Sequence, residues 1–133
     1  MDAAADFPES RRGLEQLIAI VDDDQSVREA LRGLLHAHGL NAATFASALD
    51  FLSSPALGET ACLIADVNMP MLTGIELHEQ LTRSGRQIPT LLITAYPDDG
   101  LRTRALNSGV VAYLLKPFEE DELIGHLLAS LER

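Results

Sequence analysis

An apolar run, Leu17-Ile18-Ala19-Ile20-Val21, ends abruptly in three consecutive acids, Asp22-Asp23-Asp24. A run of that length and character reads as a buried strand. Carboxylates crowded at the end of a buried strand repel one another and lose hydration. A fold tolerates them there when something positive sits among them, and a divalent cation, with its preference for oxygen ligands, is the natural candidate. The pattern recurs along the chain. Cys62-Leu63-Ile64-Ala65 ends in Asp66, Leu91-Leu92-Ile93 ends in Thr94, and the run from Val110 to Leu115 ends in Lys116. Four strand-like segments thus deliver acids, a hydroxyl and an ammonium, each at a C-terminal end.

Helix-like stretches alternate with these strands. Val27, Ala30, Leu31, Leu34 and Leu35 repeat at amphipathic spacing. Ser26 with Glu29 fits a capping box at the start of that helix, and Gly39 fits its stop. Asn41 to Phe45 reads as a short, weak strand, followed by a short helix around Ala46 to Leu52. Pro70 and Gly74 punctuate a loop, and a helix follows from Ile75 to about Arg83. A strand then begins near Ile88, and a polar helix runs from Asp98 to Asn107 and stops at Gly109. The last helix carries Leu123, Ile124, Leu127, Leu128 and Leu131, with four acids from Glu119 to Glu122 at its positive end. Five strands alternating with five helices predict an α/β fold. Its parallel sheet is covered on both faces, in the doubly wound order 2-1-3-4-5 of the flavodoxin-like class. In that order the ligand crevice lies at the carboxyl ends of strands one and three, the ends that carry Asp22, Asp23 and Asp66.

A chain of 133 residues with 47% hydrophobic and 23% charged residues fits one domain with a sizeable core. Residues 1–15 read as a loose tail and 16–133 as the domain. The net charge of −10 argues against direct binding to nucleic acid, which needs Lys and Arg against phosphate. No apolar stretch reaches the length of a membrane span, no signal-peptide pattern opens the chain, and the single cysteine leaves no internal disulfide. These features together predict a cytoplasmic location.

Four pieces now align with a known family. Ile20-Val21-Asp22-Asp23-Asp24, Asp66-Val67-Asn68-Met69-Pro70 with Gly74, Leu92-Ile93-Thr94-Ala95, and Tyr113-Leu114-Leu115-Lys116-Pro117-Phe118 occur in the order and at the spacing of receiver domains of two-component response regulators. The resemblance covers about residues 16 to 133, and its Lys116-Pro117-Phe118 segment with the following acids is similar to receivers joined to helix-turn-helix transcription factors. It implies a phosphoprotein rather than an enzyme. Asp66 would be the phosphoacceptor for a histidine kinase or phosphotransfer protein. Mg²⁺, or Mn²⁺ in its place, would be held by Asp23, Asp66 and the backbone carbonyl of Asn68, with Asp22 acting through water. Thr94 and Lys116 would contact the phosphoryl group, and Thr94 and Tyr113 would form the switch. The output would pass through the face of the fourth helix, fifth strand and fifth helix, to an output domain, a protein partner or a phosphorylation-dependent homodimer. The bond before Pro117 would be cis. Asn68 and Tyr96 stand two residues beyond the phosphoacceptor and the switch hydroxyl, positions that influence phosphoryl lifetime in that family, and the bulky Tyr96 would shield the acyl phosphate from water.

Other readings stay beside this one. Asp24 is either a helix cap or a further metal ligand, and Tyr113 is either a core aromatic or a switch. His36, His38, His78 and His126 lack metal-ligand spacing and are assigned to surface or packing, and Cys62 to a small buried hydrophobe. Asp22-x-Asp24 faintly resembles the nucleophile motif of haloacid-dehalogenase-type phosphohydrolases, but the later acidic pair of that family is missing. A flavodoxin-like electron carrier would need a hydroxyl-rich phosphate loop where this chain has carboxylates. A degenerate receiver, binding partners without phosphorylation, is opposed by the complete set of matched groups.

Overall fold

The computed structural model describes residues 16–132; the tail expected over 1–15 lies outside them. The elements run β1 (Leu17–Val21), α1 (Gln25–Ala37), β2 (Asn41–Phe45), α2 (Ala48–Leu52), a 3-10 turn (Pro55–Glu59), β3 (Thr60–Asp66), α3 (Gly74–Arg83), β4 (Thr90–Thr94), α4 (Asp99–Asn107), β5 (Ala112–Leu115) and α5 (Glu120–Leu131). The strands form one sheet in the order β2-β1-β3-β4-β5, and every neighbouring pair is parallel. This is the doubly wound arrangement expected from the alternation of patterns.

Successive residues of a strand point to opposite faces, and the sheet feeds two separate cores. Ala19, Val21, Leu63, Ala65 and Leu92 pack with Phe51 of α2, with Ile75, Leu77 and Leu81 of α3, and with Ala105 of α4. Ile18, Ile20, Cys62, Ile64, Leu91 and Ile93 pack on the other side with Leu31 and Leu35 of α1 and with Leu123, Ile124 and Leu127 of α5. Cys62 is buried as expected, and the apolar surroundings push its thiol up to about 12, so it stays a protonated packing group.

The helix ends differ from the sequence reading in instructive ways. Asp24, not Ser26, caps α1: its Oδ1 accepts from the Ser26 amide at 2.9 Å and from the Ser26 hydroxyl at 2.7 Å. The Ser26–Glu29 capping box does not form because the acid two residues earlier reaches the free amide first, leaving Glu29 to accept from Gln25 Nε2. A full capping box stands instead at α3, where Thr73 and Glu76 exchange side-chain-to-backbone bonds. Helix α1 ends ahead of Gly39, whose φ of +74° suits a residue without Cβ. The short helix expected from Ala46 starts at Ala48, because Ser47 is spent as its cap. β4 begins two residues later than expected and β5 begins at Ala112.

Candidate functional site

Parallel register brings the strand ends together. Val21 stands beside Ala65 and Asp66 beside Ile93, while Thr94 stands beside Leu115. The next residues along β1 and β3 are therefore Asp22 and Asp66, at neighbouring ends and at the topological switch point. One carboxylate oxygen from each of Asp22, Asp23 and Asp66 lies within 4.8 Å of the other two. Asp22 and Asp66 are buried and Asp23 is exposed, so the cluster opens to solvent on the Asp23 side.

Lys116, at the end of β5, reaches across this cluster. Its Nζ donates to Asp22 Oδ2 at 3.2 Å and stands 3.9 Å from Asp66 Oδ1. Asp22 is held from several directions. Its Oδ1 accepts from the Asp24 amide at 2.9 Å, its own amide donates to Phe45 O, and its carbonyl accepts from Arg28 Nη1 at 2.7 Å. Asp66 Oδ1 accepts from the Asn68 amide at 3.2 Å, which keeps Asn68 turned back beside the acids. Burial, first, and the Asp22 charge, second, hold the Asp66 carboxyl above the ordinary range, against the opposing pull of Lys116. Three carboxylates face one ammonium, and a divalent cation would bring the cluster to neutrality. The donor set consists of hard carboxylate oxygens, which suits Mg²⁺. Asp24 is turned away to its capping bonds with Ser26, which hold its carboxyl below the usual range.

Thr94 is buried at the end of β4. Its Oγ1 accepts from Asn68 Nδ2 at 2.6 Å and from the Tyr96 amide at 3.1 Å, and its carbonyl accepts from the Lys116 amide at 2.7 Å. Tyr113, on β5, packs its ring against the core formed with α2, α3 and α4, and its hydroxyl is buried without a hydrogen-bond partner. Burial, and then the Asp98 carboxylate, push that phenol upward. Tyr96 is 68% exposed. The Lys116–Pro117 bond is cis.

Several participants gave weaker signals in the sequence. Gly74 reads as loop punctuation, yet a Cβ there would lie 2.5 Å from the backbone oxygen of Asp66 and 2.9 Å from Leu92 Cδ2. Only glycine lets α3 start against the strand that carries Asp66, a close approach that the loop pattern in the sequence does not reveal. Arg28 looks like a solvated helix residue, and nothing local announces its bond to Asp22. His78 is a packing residue as assigned, but a buried polar one, 3.1 Å from Thr90 Oγ1 and 3.0 Å from the Ser108 carbonyl.

The comparisons with known proteins point one way. Residues 18–128 match the model of the response regulator receiver domain. The response regulator protein TodT of Pseudomonas putida is 39% identical over 116 residues, covering 87% of this chain and 51% of TodT. Among solved structures, the response regulator StyR superposes with a TM-score of 0.81 at 41% identity, over 88% of this chain and 59% of that one. FixJ-N superposes with a TM-score of 0.80 at 29% identity, over 89% of this chain and 94% of that one. The chain spans about half the length of the curated relatives it matches.

Proposed function

The chain belongs to the response regulator receiver domain family, and on that premise we propose that it takes a phosphoryl group onto Asp66 from a histidine kinase or phosphotransfer protein. Receiver domains of response regulators are signalling modules rather than enzymes, and they work with histidine kinases and output domains. No described helix is long and apolar enough to cross a membrane. The observation that carries the reading is the convergence of Asp22, Asp23 and Asp66, with Lys116 Nζ lying against both buried acids.

In this reading an Asp66 oxygen attacks phosphorus as the bond to the donor breaks, leaving an acyl phosphate. Asp23, Asp66 and the Asn68 carbonyl would hold Mg²⁺, or Mn²⁺, with Asp22 acting through water. When bound, such a cation would offset the repulsion between the anionic Asp66 carboxylate and an anionic phosphoryl group. Lys116 leaves its contact with Asp22 to bind one phosphoryl oxygen, and the Thr94 hydroxyl donates to another. Asn68 and Tyr96 influence how long the acyl phosphate lasts.

The switch follows from packing. Thr94 moves toward the new oxygens, and the Tyr113 ring takes the space it leaves. A buried hydroxyl without a partner is costly, so Tyr113 gains by any shift that lets its oxygen find one. The phosphoryl group favours one of two packings of the α4-β5-α5 face, which meets the output domain, a protein partner or a second copy. The domain is taken as residues 16–133, with 1–15 as a tail and a transcription-regulating output as in the FixJ-type relatives.

The test is chemical. After incubation with acetyl phosphate and Mg²⁺, intact mass should show one added phosphoryl group, and borohydride trapping should place it on Asp66. Asp66→Asn, or omission of the metal, should abolish it. Label on Asp22 would favour phosphohydrolase chemistry. No label on folded protein with metal would favour a receiver that binds partners without phosphorylation.

A further inference from the structure

The Thr94 hydroxyl is held through its acceptor sites, and its proton is only loosely engaged. A hydroxyl offers two acceptor sites and one proton. Both acceptor sites are taken, by Asn68 Nδ2 at 2.6 Å and by the Tyr96 amide at 3.1 Å. The proton has only the Tyr96 carbonyl within reach, at a long 3.4 Å. Two of these three contacts are internal to the turn after β4 and travel with Thr94. The contact from Asn68 does not: it crosses from the loop after β3 and is the shortest of the three. Asn68 is itself pinned, because its backbone amide donates to Asp66 Oδ1 at 3.2 Å. A short chain of bonds therefore runs from Asp66 through Asn68 to Thr94.

We propose that the Asn68 side-chain amide is a positioning group for the switch, a latch that holds the Thr94 hydroxyl away from the phosphoacceptor until the phosphoryl group competes for it. This role is separate from that of the Asn68 backbone carbonyl and rests on the phosphoacceptor reading above. Thr94 can offer its loosely held proton to a phosphoryl oxygen, but any swing of the hydroxyl toward that oxygen stretches the short Asn68 bond, which is anchored on a different loop. The closed state is stabilised by that bond, and the phosphorylated state has to overcome it. Asn68 is exposed, so replacing its side chain leaves both cores intact.

The test is a double-mutant cycle on binding rather than on turnover. Mg²⁺ with beryllofluoride serves as the probe for the phosphorylated state, and affinity is read by titration on wild type, Asn68→Ala, Thr94→Val and the double variant. Removing the latch should tighten beryllofluoride binding by about two- to tenfold, the span of one neutral hydrogen bond. In the Thr94→Val background, where no hydroxyl remains to be latched, the same Asn68 change should have no effect. Thr94→Ala repeats the cycle with a smaller side chain, and near-ultraviolet circular dichroism checks that each variant is folded. An unchanged or weakened affinity in Asn68→Ala would overturn the latch. So would an equal change in both backgrounds, which would mean that Asn68 acts on the probe without Thr94. If wild type binds no beryllofluoride with Mg²⁺, the phosphoacceptor reading itself fails and takes the latch with it.

Discussion

Asp66 carries its charge against resistance from burial and from the neighbouring Asp22 carboxylate. That resistance links stability to pH. The folded carboxyl titrates above its ordinary value of 3.8, so the ionised form is the one the fold disfavours. The stability associated with Asp66 is therefore fully present below that value and is lost as pH rises through the raised folded range. A neutral amide of the same shape escapes the loss. Asp66→Asn, free of metal, should melt a few degrees above wild type at pH 7, and the gain should shrink as pH is lowered toward 4. A variant that melts below wild type at neutral pH would contradict this account of the site. The same resistance favours a cation at the site: Mg²⁺ would have to displace any proton on Asp66, so its affinity should weaken toward acid, as titration at falling pH would show.

At the scale of elements, position depends on where backbones can approach. Helix α3 begins with Gly74 against the backbone oxygen of Asp66. Gly74→Ala forces the helix start away from β3, and because the nearest atom is backbone, the strain cannot be relieved by a side-chain rotation. The variant should lose about 1–3 kcal/mol of stability, measured by denaturant unfolding, and should label more slowly with acetyl phosphate because Asp66 is displaced. Unchanged stability would mean the junction is softer than its distances. Such contacts are what sequence reading misses. The strand ends at Val21, Asp66, Thr94 and Leu115 were legible because each apolar run stops at a polar residue that could not continue it. The alternation of runs and amphipathic stretches implies a parallel sheet covered on both faces, and the order 2-1-3-4-5 follows as the common one for five such strands. The Ser26–Glu29 box, expected from the spacing, does not form because capping is decided by which side chain reaches a free amide first, and Asp24 does. The bonds of Arg28 to Asp22, of Asn68 to Thr94 and of His78 to Ser108 join residues brought together by the fold or by the turn of a helix, and no local pattern announces them.

Across the whole molecule, stability is unevenly spread. Strands β1, β3 and β4 are buried almost throughout, whereas α4 buries only Ala105. Beyond Ala105 and the partly buried Leu101, what holds α4 is polar and comes from adjacent residues of α3. Glu79 accepts two bonds from Arg104, at 2.8 and 3.1 Å, and His78 Nε2 lies 3.0 Å from the Ser108 carbonyl at the helix end. Few apolar contacts mean low local stability. Amide hydrogen exchange in α4 should be much faster than in β3, and Arg104→Ala should quicken it further without touching the sheet. Protection of α4 equal to that of the central strands would count against it as the moving element of the output face.

The two cores share nothing but the strands between them. Leu63 and Ala65 face one side, Cys62 and Ile64 the other, and the parity continues past the last apolar residue to the chemistry at the rim. A substitution beneath α1 and α5 need not be answered by one beneath α2, α3 and α4, and the reverse holds as well. Descent can therefore rewrite one side of such a molecule while the other keeps its fit.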